Sequence, residues 1–401
     1  MTNTNKTWLR HVASNLVTPL SLSALFLVVF RNQHRFDSLF PNLTLWGSTR
    51  YNCSPEHTRY TVQPLTDHGC FGVEILGLNL TDPSSFNESL IRQHLLPDLH
   101  RFKIVLFRAQ HHVTADELVQ IGRLFGPLGL PAVETRYDPS LPPEIGEVSN
   151  AKENGTEQGR QWHVDGAFHP RPHAYSLYKM VSTPDIGGET WFVQLSRLFE
   201  SCTSAEQRGL WLSLWGRYKR RARKGRESNE VQQLLANVQQ DVNEKRLKKK
   251  DEMPRLQFWH PLVYPHPYTA ELTMMFGGKI RTFVAHPNTS LERELSTDER
   301  RRWKEEFNET IVNCTERVRD VLYKHAYQPG DILLVDNLAV AHAAHGRAFE
   351  AVEDVGLRLL YRLNVAGHTR PGELRLDADR TAVGPDWQVK LVNDTRDGDD
   401  R

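Results

Sequence analysis

Apolar and polar residues begin to alternate near Tyr60. Tyr60-Thr61-Val62 alternates, and Val73-Glu74-Ile75 follows Gly72, so two short strands are predicted behind turns. Over residues 85–99 the positions Leu90, Ile91, Leu95, Leu96 and Leu99 share one helical face, which predicts a helix. Residues 103–107 form a short apolar run, as in a buried strand. Thr114 followed by Glu117 is a capping box, and it predicts a helix with Leu118, Ile121, Leu124 and Phe125 on its apolar side. Helices are also predicted over 195–215 and 296–327, the second opened by Ser296-Thr297-Asp298-Glu299. Strands are predicted over 175–181, 256–263, 272–276, 332–335 and 357–365. Many strands, few inserted helices and no internal repeat predict an α+β domain over about 58–370. Its core is expected to be a double-stranded β-helix, or jelly roll, with flanking helices.

The flanks differ in texture. Residues 12–30 carry no charge and sit between Lys6 and Arg10 on one side and Arg31 and Arg35 on the other. At ~1.5 Å per residue the stretch reaches roughly 28 Å, about the hydrocarbon thickness of a bilayer. Arg31-Asn32-Gln33 offers no small-residue cleavage signal. The expectation is an N-terminal hydrophobic helix acting as an uncleaved signal anchor, preceded by a basic segment (1–11) and followed by a stem (31–57). A weak signal peptide or a buried helix is the alternative, since Pro19 and the serines dilute the apolarity. After this stretch come nine Asn-x-Ser/Thr sequons: Asn42, Asn52, Asn79, Asn87, Asn154, Asn288, Asn308, Asn313 and Asn393. Chance gives roughly two or three, and a sequon matters only in secretory compartments. A single-pass type II membrane glycoprotein with a lumenal catalytic domain is therefore expected. Residues 371–401 read as a polar tail.

Composition narrows the class. Apolar residues make up 39% and charged residues 25%, with a net charge of +1, so no global field points to nucleic acid. Cys53, Cys70, Cys202 and Cys314 are too few for a disulfide scaffold and contain no Cys-x-x-Cys pair, which leaves room for one or two disulfides. Arginines and lysines crowd 217–250. That segment is either a solvated insertion or a surface for an anionic partner or a membrane.

The chemistry starts at Trp162-His163-Val164-Asp165. On a strand, residues i and i+2 share a face, so His163 and Asp165 present an imidazole beside a carboxylate. Two imidazoles and one carboxylate on a metal leave three open positions, the arrangement of non-haem iron oxygenases. His-x-Asp alone is weak, since about one such match is expected by chance. Downstream, Gly330 leads into an apolar strand ending in Asp336-Asn337, and His342 follows, with His345 as a rival ligand three residues on. Arg358 and Arg362 then lie at i and i+4 of a strand. A guanidinium fork there is suited to holding a carboxylate.

Together these motifs resemble the taurine dioxygenase-like branch of the iron(II)/2-oxoglutarate oxygenases, in order and across about 58–370. Gly72-Val-Glu-Ile and Gly77-Leu-Asn-Leu look like its opening strands. Val105-Leu-Phe-Arg108 with Leu124-Phe-Gly-Pro127 looks like its first strand–helix unit. Trp162-His163-Val-Asp165 with Gly187-Gly-Glu-Thr190 matches its central motif, and Asp336-Asn337 to His342 with Arg358 to Arg362 the distal one. The resemblance implies Fe(II) on His163, Asp165 and His342, with His342 preferred because the family counts six residues from the Asp of Asp-Asn. It implies 2-oxoglutarate held by Thr190 and Arg358, and Arg362 toward the substrate's anionic group. O₂ and a small anionic organic molecule would be the other reactants, with succinate and CO₂ released and ascorbate as an accessory reductant. Asp165 occupies the position that a halide would need, so hydroxylation or oxidative cleavage is expected. Phe125-Gly-Pro-Leu-Gly lacks the histidine that taurine-type enzymes place after this motif, which argues against taurine. Trp259-His260-Pro261 and Met274-Met275-Phe276 are either pocket lining or core. A non-catalytic metal-binding jelly roll in the secretory lumen is the competing reading, but it has no need of Thr190 and Arg358; a metallohydrolase using His-x-Asp is a third, and it would need further carboxylate or histidine ligands that the spacing does not offer.

Overall fold

The computed structural model describes residues 57–66, 70–129, 138–151, 159–221, 255–277, 280–287, 290–315, 317–318, 320–345, 347–369, 371, 375–376, 380–381 and 390–392. The larger sheet contains β1 (Thr61–Pro64), β2 (Val73–Leu76), β3 (Ile104–Phe107), β4 (Leu128–Gly129), β5 (Gly146–Ser149) and β6 (Tyr175–Ser182). It also holds two strands from late in the chain, described below. The smaller sheet begins with β7 (Thr190–Gln194). Next in the chain, but in two further sheets, come β8 (Leu214–Arg221), β9 (Arg255–Pro261), β10 (Val263–Pro265), β11 (Leu272–Met274), β12 (Ile280–Ala285) and β13 (Arg293–Glu294). The last four that matter are β14 (Leu322–His325), β15 (Ile332–Asp336), β16 (Val340–Ala344) and β17 (Leu359–Val365).

The larger sheet runs β1-β2-β3-β15-β6-β17-β4, with β5 also on β17, and only β2 and β3 pair in parallel. The smaller sheet runs β14-β7-β16. The two face each other. Ile104, Leu106, Tyr178, Met180, Leu333, Val335 and Leu360 of the larger sheet share one buried cluster with Phe192, Tyr323 and Val340 of the smaller. Strand alternation sends the other residues of the smaller sheet outward. Val193 and Ala341 join a second cluster, with Trp211, Phe276, Trp303 and Phe307. That cluster is roofed by helices α3 (Ala205–Ser213) and α4 (Thr297–Thr315). Helices α1 (Leu96–Phe102) and α2 (Ala115–Arg123) precede them, and α2 starts at the Thr114–Glu117 capping box as expected.

Several expectations shift. The helix over 195–215 breaks at Thr203, restarts from a second capping box, Ser204 with Gln207, and yields to strand at Leu214. The helix over 296–327 stops at Thr315, and Leu322–His325 is a strand on β7. There the period of two wins, because Tyr323 and His325 both turn inward. The tail is not wholly loose, since Lys390–Val392 adds an edge strand to β9. Met274, Met275 and Phe276 are core, with Phe276 4.6 Å from Phe307 between ring centroids. Cys202 and Cys314 form a disulfide across 112 residues, and Cys70 is also disulfide-bonded.

The membrane placement is corrected. A spanning helix needs about 20 mostly apolar residues. No helix among the described residues is long and apolar enough to cross a membrane. The longest of them, α4, opens with Asp298, Glu299 and three arginines. The stretch 12–30, on which the anchor, the type II orientation and the significance of the sequons rested, lies outside the described residues. Most of the basic stretch 217–250 lies outside them too.

One half-buried group sets a pH limit on the fold. His100 stacks on Tyr268 at 4.5 Å and lies 2.8 Å from the Tyr175 hydroxyl. Burial pushes its imidazole down to about 4. Below the ordinary histidine value of ~6.5 the unfolded chain takes up a proton that the folded chain refuses until about pH 4. Stability is therefore expected to fall as pH drops through that window, by up to roughly 3 kcal/mol. Urea midpoints from pH 7 to pH 4 check this. His100→Gln should flatten the slope, and an unchanged slope would contradict it.

Candidate metal centre

Three side chains converge between the sheets. β16 carries His342 on its inward face, opposite Phe192 of β7. The chain at His163 is not a regular strand; it meets β16 through a single bridge, His163 N–H to His342 O at 3.1 Å and the reverse at 2.9 Å. This one contact replaces the strand expected there and still sends His163 and Asp165 to the same side. His163 Nε2 is 3.6 Å from Asp165 Oδ1, His342 Nε2 is 3.8 Å from Asp165 Oδ2, and the two imidazole centroids are 4.3 Å apart. One ligand atom from each residue lies within 4.8 Å of the others, so small side-chain rotations would bring all three to ~2.1 Å from a common cation. His345 lies elsewhere. It is exposed and stacks on Trp191 at 3.5 Å.

The surroundings leave these groups able to act as ligands. His163 Nδ1 lies 2.8 Å from the Gln161 carbonyl, which fixes a proton on Nδ1 and leaves the Nε2 lone pair facing Asp165. Burial, aided by His163, pushes His342 down to about 3, so its imidazole is neutral and can donate a lone pair. Burial alone would raise Asp165, but the Arg362 guanidinium and the imidazoles outweigh it and hold the carboxyl well below its usual range. Arg362 Nη1 donates to Asp165 Oδ1 at 3.2 Å, and the Tyr178 hydroxyl donates to Oδ2 at 3.1 Å. Asn337 fixes the backbone. Its Oδ1 accepts from Asp165 N at 2.9 Å, and its Nδ2 donates to Asp165 O and His173 O.

A second constellation lies beside the first. Thr190 faces inward on β7, opposite Ala344, two residues along from the His342 pair. Arg358 is 2% exposed; its Nε donates to Gly188 O at 3.0 Å, and one terminal nitrogen is 3.5 Å from Thr190 Oγ1. Asn150 Oδ1 accepts from Arg358 N, and the Asn150 amide donates to Glu350 O and Gly356 O, which fixes the chain as it enters β17. A register shift between Leu359 and Leu360 separates Arg358 from Arg362. Arg358 therefore reaches Thr190, whereas Arg362 reaches Asp165. Gly188 has φ +86°, and a Cβ there would sit 2.6 Å from Pro184, so glycine is required. Among the described residues Arg358 has no carboxylate at ion-pair distance. A buried cation without a counter-charge is costly and suits an anionic ligand.

Sequence reasoning missed Tyr178, Tyr327 and Asn150. Tyr327 donates to Thr190 Oγ1 at 3.2 Å and lies under Arg358. Tyr178 could not be picked out by alternation, because the first six residues of β6 are buried on both faces.

Comparison with known proteins gives the family. The sequence matches the family described as Taurine catabolism dioxygenase TauD, TfdA over residues 61–363. Pentalenolactone F synthase of Streptomyces arenae is 26% identical over 64% of this chain and 80% of the synthase. The alpha-ketoglutarate-dependent sulfonate dioxygenase of Saccharomyces cerevisiae is 22% identical over 68% of this chain and 60% of that enzyme. The crystal structure of a taurine dioxygenase from Burkholderia xenovorans superposes with a TM-score of 0.55 at 22% identity, covering 84% of this chain and 95% of that one. The mixed α+β sandwich is thus of the taurine dioxygenase jelly-roll type. The chain belongs to the taurine catabolism dioxygenase TauD, TfdA family and is a 2-oxoglutarate-dependent dioxygenase that uses Fe(II).

Proposed function

We propose that the chain hydroxylates a small anionic organic molecule, with His163, Asp165 and His342 as the iron ligands. The convergence of these three groups, two of them buried and with donor atoms within 4.8 Å of one another, carries the reading. Fe(II) with 2-oxoglutarate supplies the oxidising power, using O₂ and releasing succinate and CO₂. The rest is the work of the chain. Arg358 pairs with the distal carboxylate of 2-oxoglutarate. Thr190 Oγ1 already accepts from Tyr327 and Arg358, so its own proton is free to donate to that carboxylate. Arg362 stands on the Asp165 side, and its Nε has no hydrogen-bond partner among the described residues. That nitrogen is a donor for the substrate's anionic group. The apolar cluster between the sheets keeps water from the reacting centre.

Relatives act on different anions. A curated relative from Saccharomyces cerevisiae is a sulfonate dioxygenase, and one from Acinetobacter baylyi, 24% identical over 76% of this chain and 84% of that enzyme, is an alkylsulfatase. The test adds Fe(II), ascorbate and 2-oxoglutarate to the protein with panels of alkylsulfonates, alkyl sulfate esters and carboxylic acids. Succinate release should rise above the substrate-free rate for one class of anion, and at saturating Fe(II) the KM for that anion should rise in Arg362→Met. Stimulation by neutral analogues alone would overturn the anionic assignment.

A further inference from the structure

Tyr178 and Arg362 are cross-strand partners on β6 and β17. Directly paired side chains on one face of a sheet lie about 5 Å apart, so they can reach a common target. Here the target is a single carboxylate. Arg362 donates to Asp165 Oδ1 at 3.2 Å and Tyr178 donates to Oδ2 at 3.1 Å, so each oxygen receives one hydrogen bond from the larger sheet. The Tyr178 hydroxyl is also 3.3 Å from His342 Nε2. A phenol has one proton to give, and the charged carboxylate is the stronger acceptor. The cluster that holds Tyr178 is otherwise built largely of Phe192, Leu333, Leu360 and similar side chains, against which a phenylalanine ring would pack equally well.

We infer that Tyr178 is a positioning residue: with Arg362 it brackets the two oxygens of Asp165 and sets the rotation of that carboxylate between His163 and His342. The inference rests on the reading of these three residues as the metal ligands. A freely rotating carboxylate would meet the cation in several orientations, and the bracket selects one before the metal arrives. Groups that orient ligands in this way typically contribute 10–100-fold to metal affinity.

The experiment titrates the metal-free full chain with Co(II), recording affinity and the visible absorption of the bound ion. Wild type is compared with Tyr178→Phe and Tyr178→Met, two apolar replacements that remove the donor. Expected are a Co(II) dissociation constant raised about 10-fold or more and an altered absorption spectrum, with the melting temperature of the metal-free protein little changed. In a double-mutant cycle with Arg362→Met, the two losses should be non-additive, because both side chains act on one carboxylate. Wild-type affinity and spectrum in either well-folded variant would overturn the proposal. So would additive losses, or affinity that falls only in step with metal-free stability in both variants. Failure of wild type itself to bind Co(II) would instead bring down the ligand assignment beneath it.

Discussion

Replacing His342 by alanine is expected to reduce Fe(II)-dependent succinate formation by more than about 100-fold, beyond the usual loss from removing a group that merely supports a ligand. His345→Ala should keep turnover within about twofold of wild type. The contrast follows from geometry. His342 Nε2 faces Asp165 at 3.8 Å inside the sandwich, whereas His345 stacks on Trp191 at the surface. With His342 gone, two ligands remain on one short segment, and no other His, Cys, Asp or Glu among the described residues joins their cluster. Full activity in His342→Ala, or equal losses in both variants, would contradict the assignment. Initial rates at saturating iron and 2-oxoglutarate decide between them.

Arg358→Leu should raise the KM for 2-oxoglutarate by roughly 30- to 1000-fold, the equivalent of about 2–4 kcal/mol for a desolvated, charge-assisted pair. The guanidinium is buried and already oriented by Gly188 O and by the backbone hold of Asn150. Little ordering remains to be done when the carboxylate arrives. Leucine keeps the site apolar, so the fold should survive and the loss should fall on the co-substrate. Arg358→Lys should recover only part of the affinity, because an ammonium cannot present a planar fork. An unchanged KM in Arg358→Leu would remove the arginine from the clamp.

How much of this was readable from the sequence depended on whether the signal was local. The capping box at Thr114, the apolar runs that became β3 and β15, and the order of the His-x-Asp, Gly-Gly-Glu-Thr and Arg-x-x-x-Arg motifs are local, and they kept their places. β14 was absorbed into the preceding helix, because its four residues form a strand only through pairing with β7. The strand that holds His342 was also hidden. Val340-Ala341-His342-Ala343-Ala344 has little strand character of its own and is fixed by β7 and by the bridge to His163. Tyr178, Tyr327 and Asn150 reach the site across sheets or from distant loops, a proximity that no spacing in one sequence announces. The N-terminal stretch shows the reverse error. Its apolar length was legible, but the membrane placement drawn from it was not supported by any helix among the described residues.

The central claim is that His163, Asp165 and His342 bind one iron. Anaerobic equilibrium dialysis of the purified full chain against Fe(II), with His163→Ala, Asp165→Ala and His342→Ala beside wild type, tests it most directly. One Fe(II) per wild-type chain is expected, with occupancy collapsing in each variant while circular dichroism stays that of the folded protein. Retention of one equivalent of iron by all three folded variants would contradict the account.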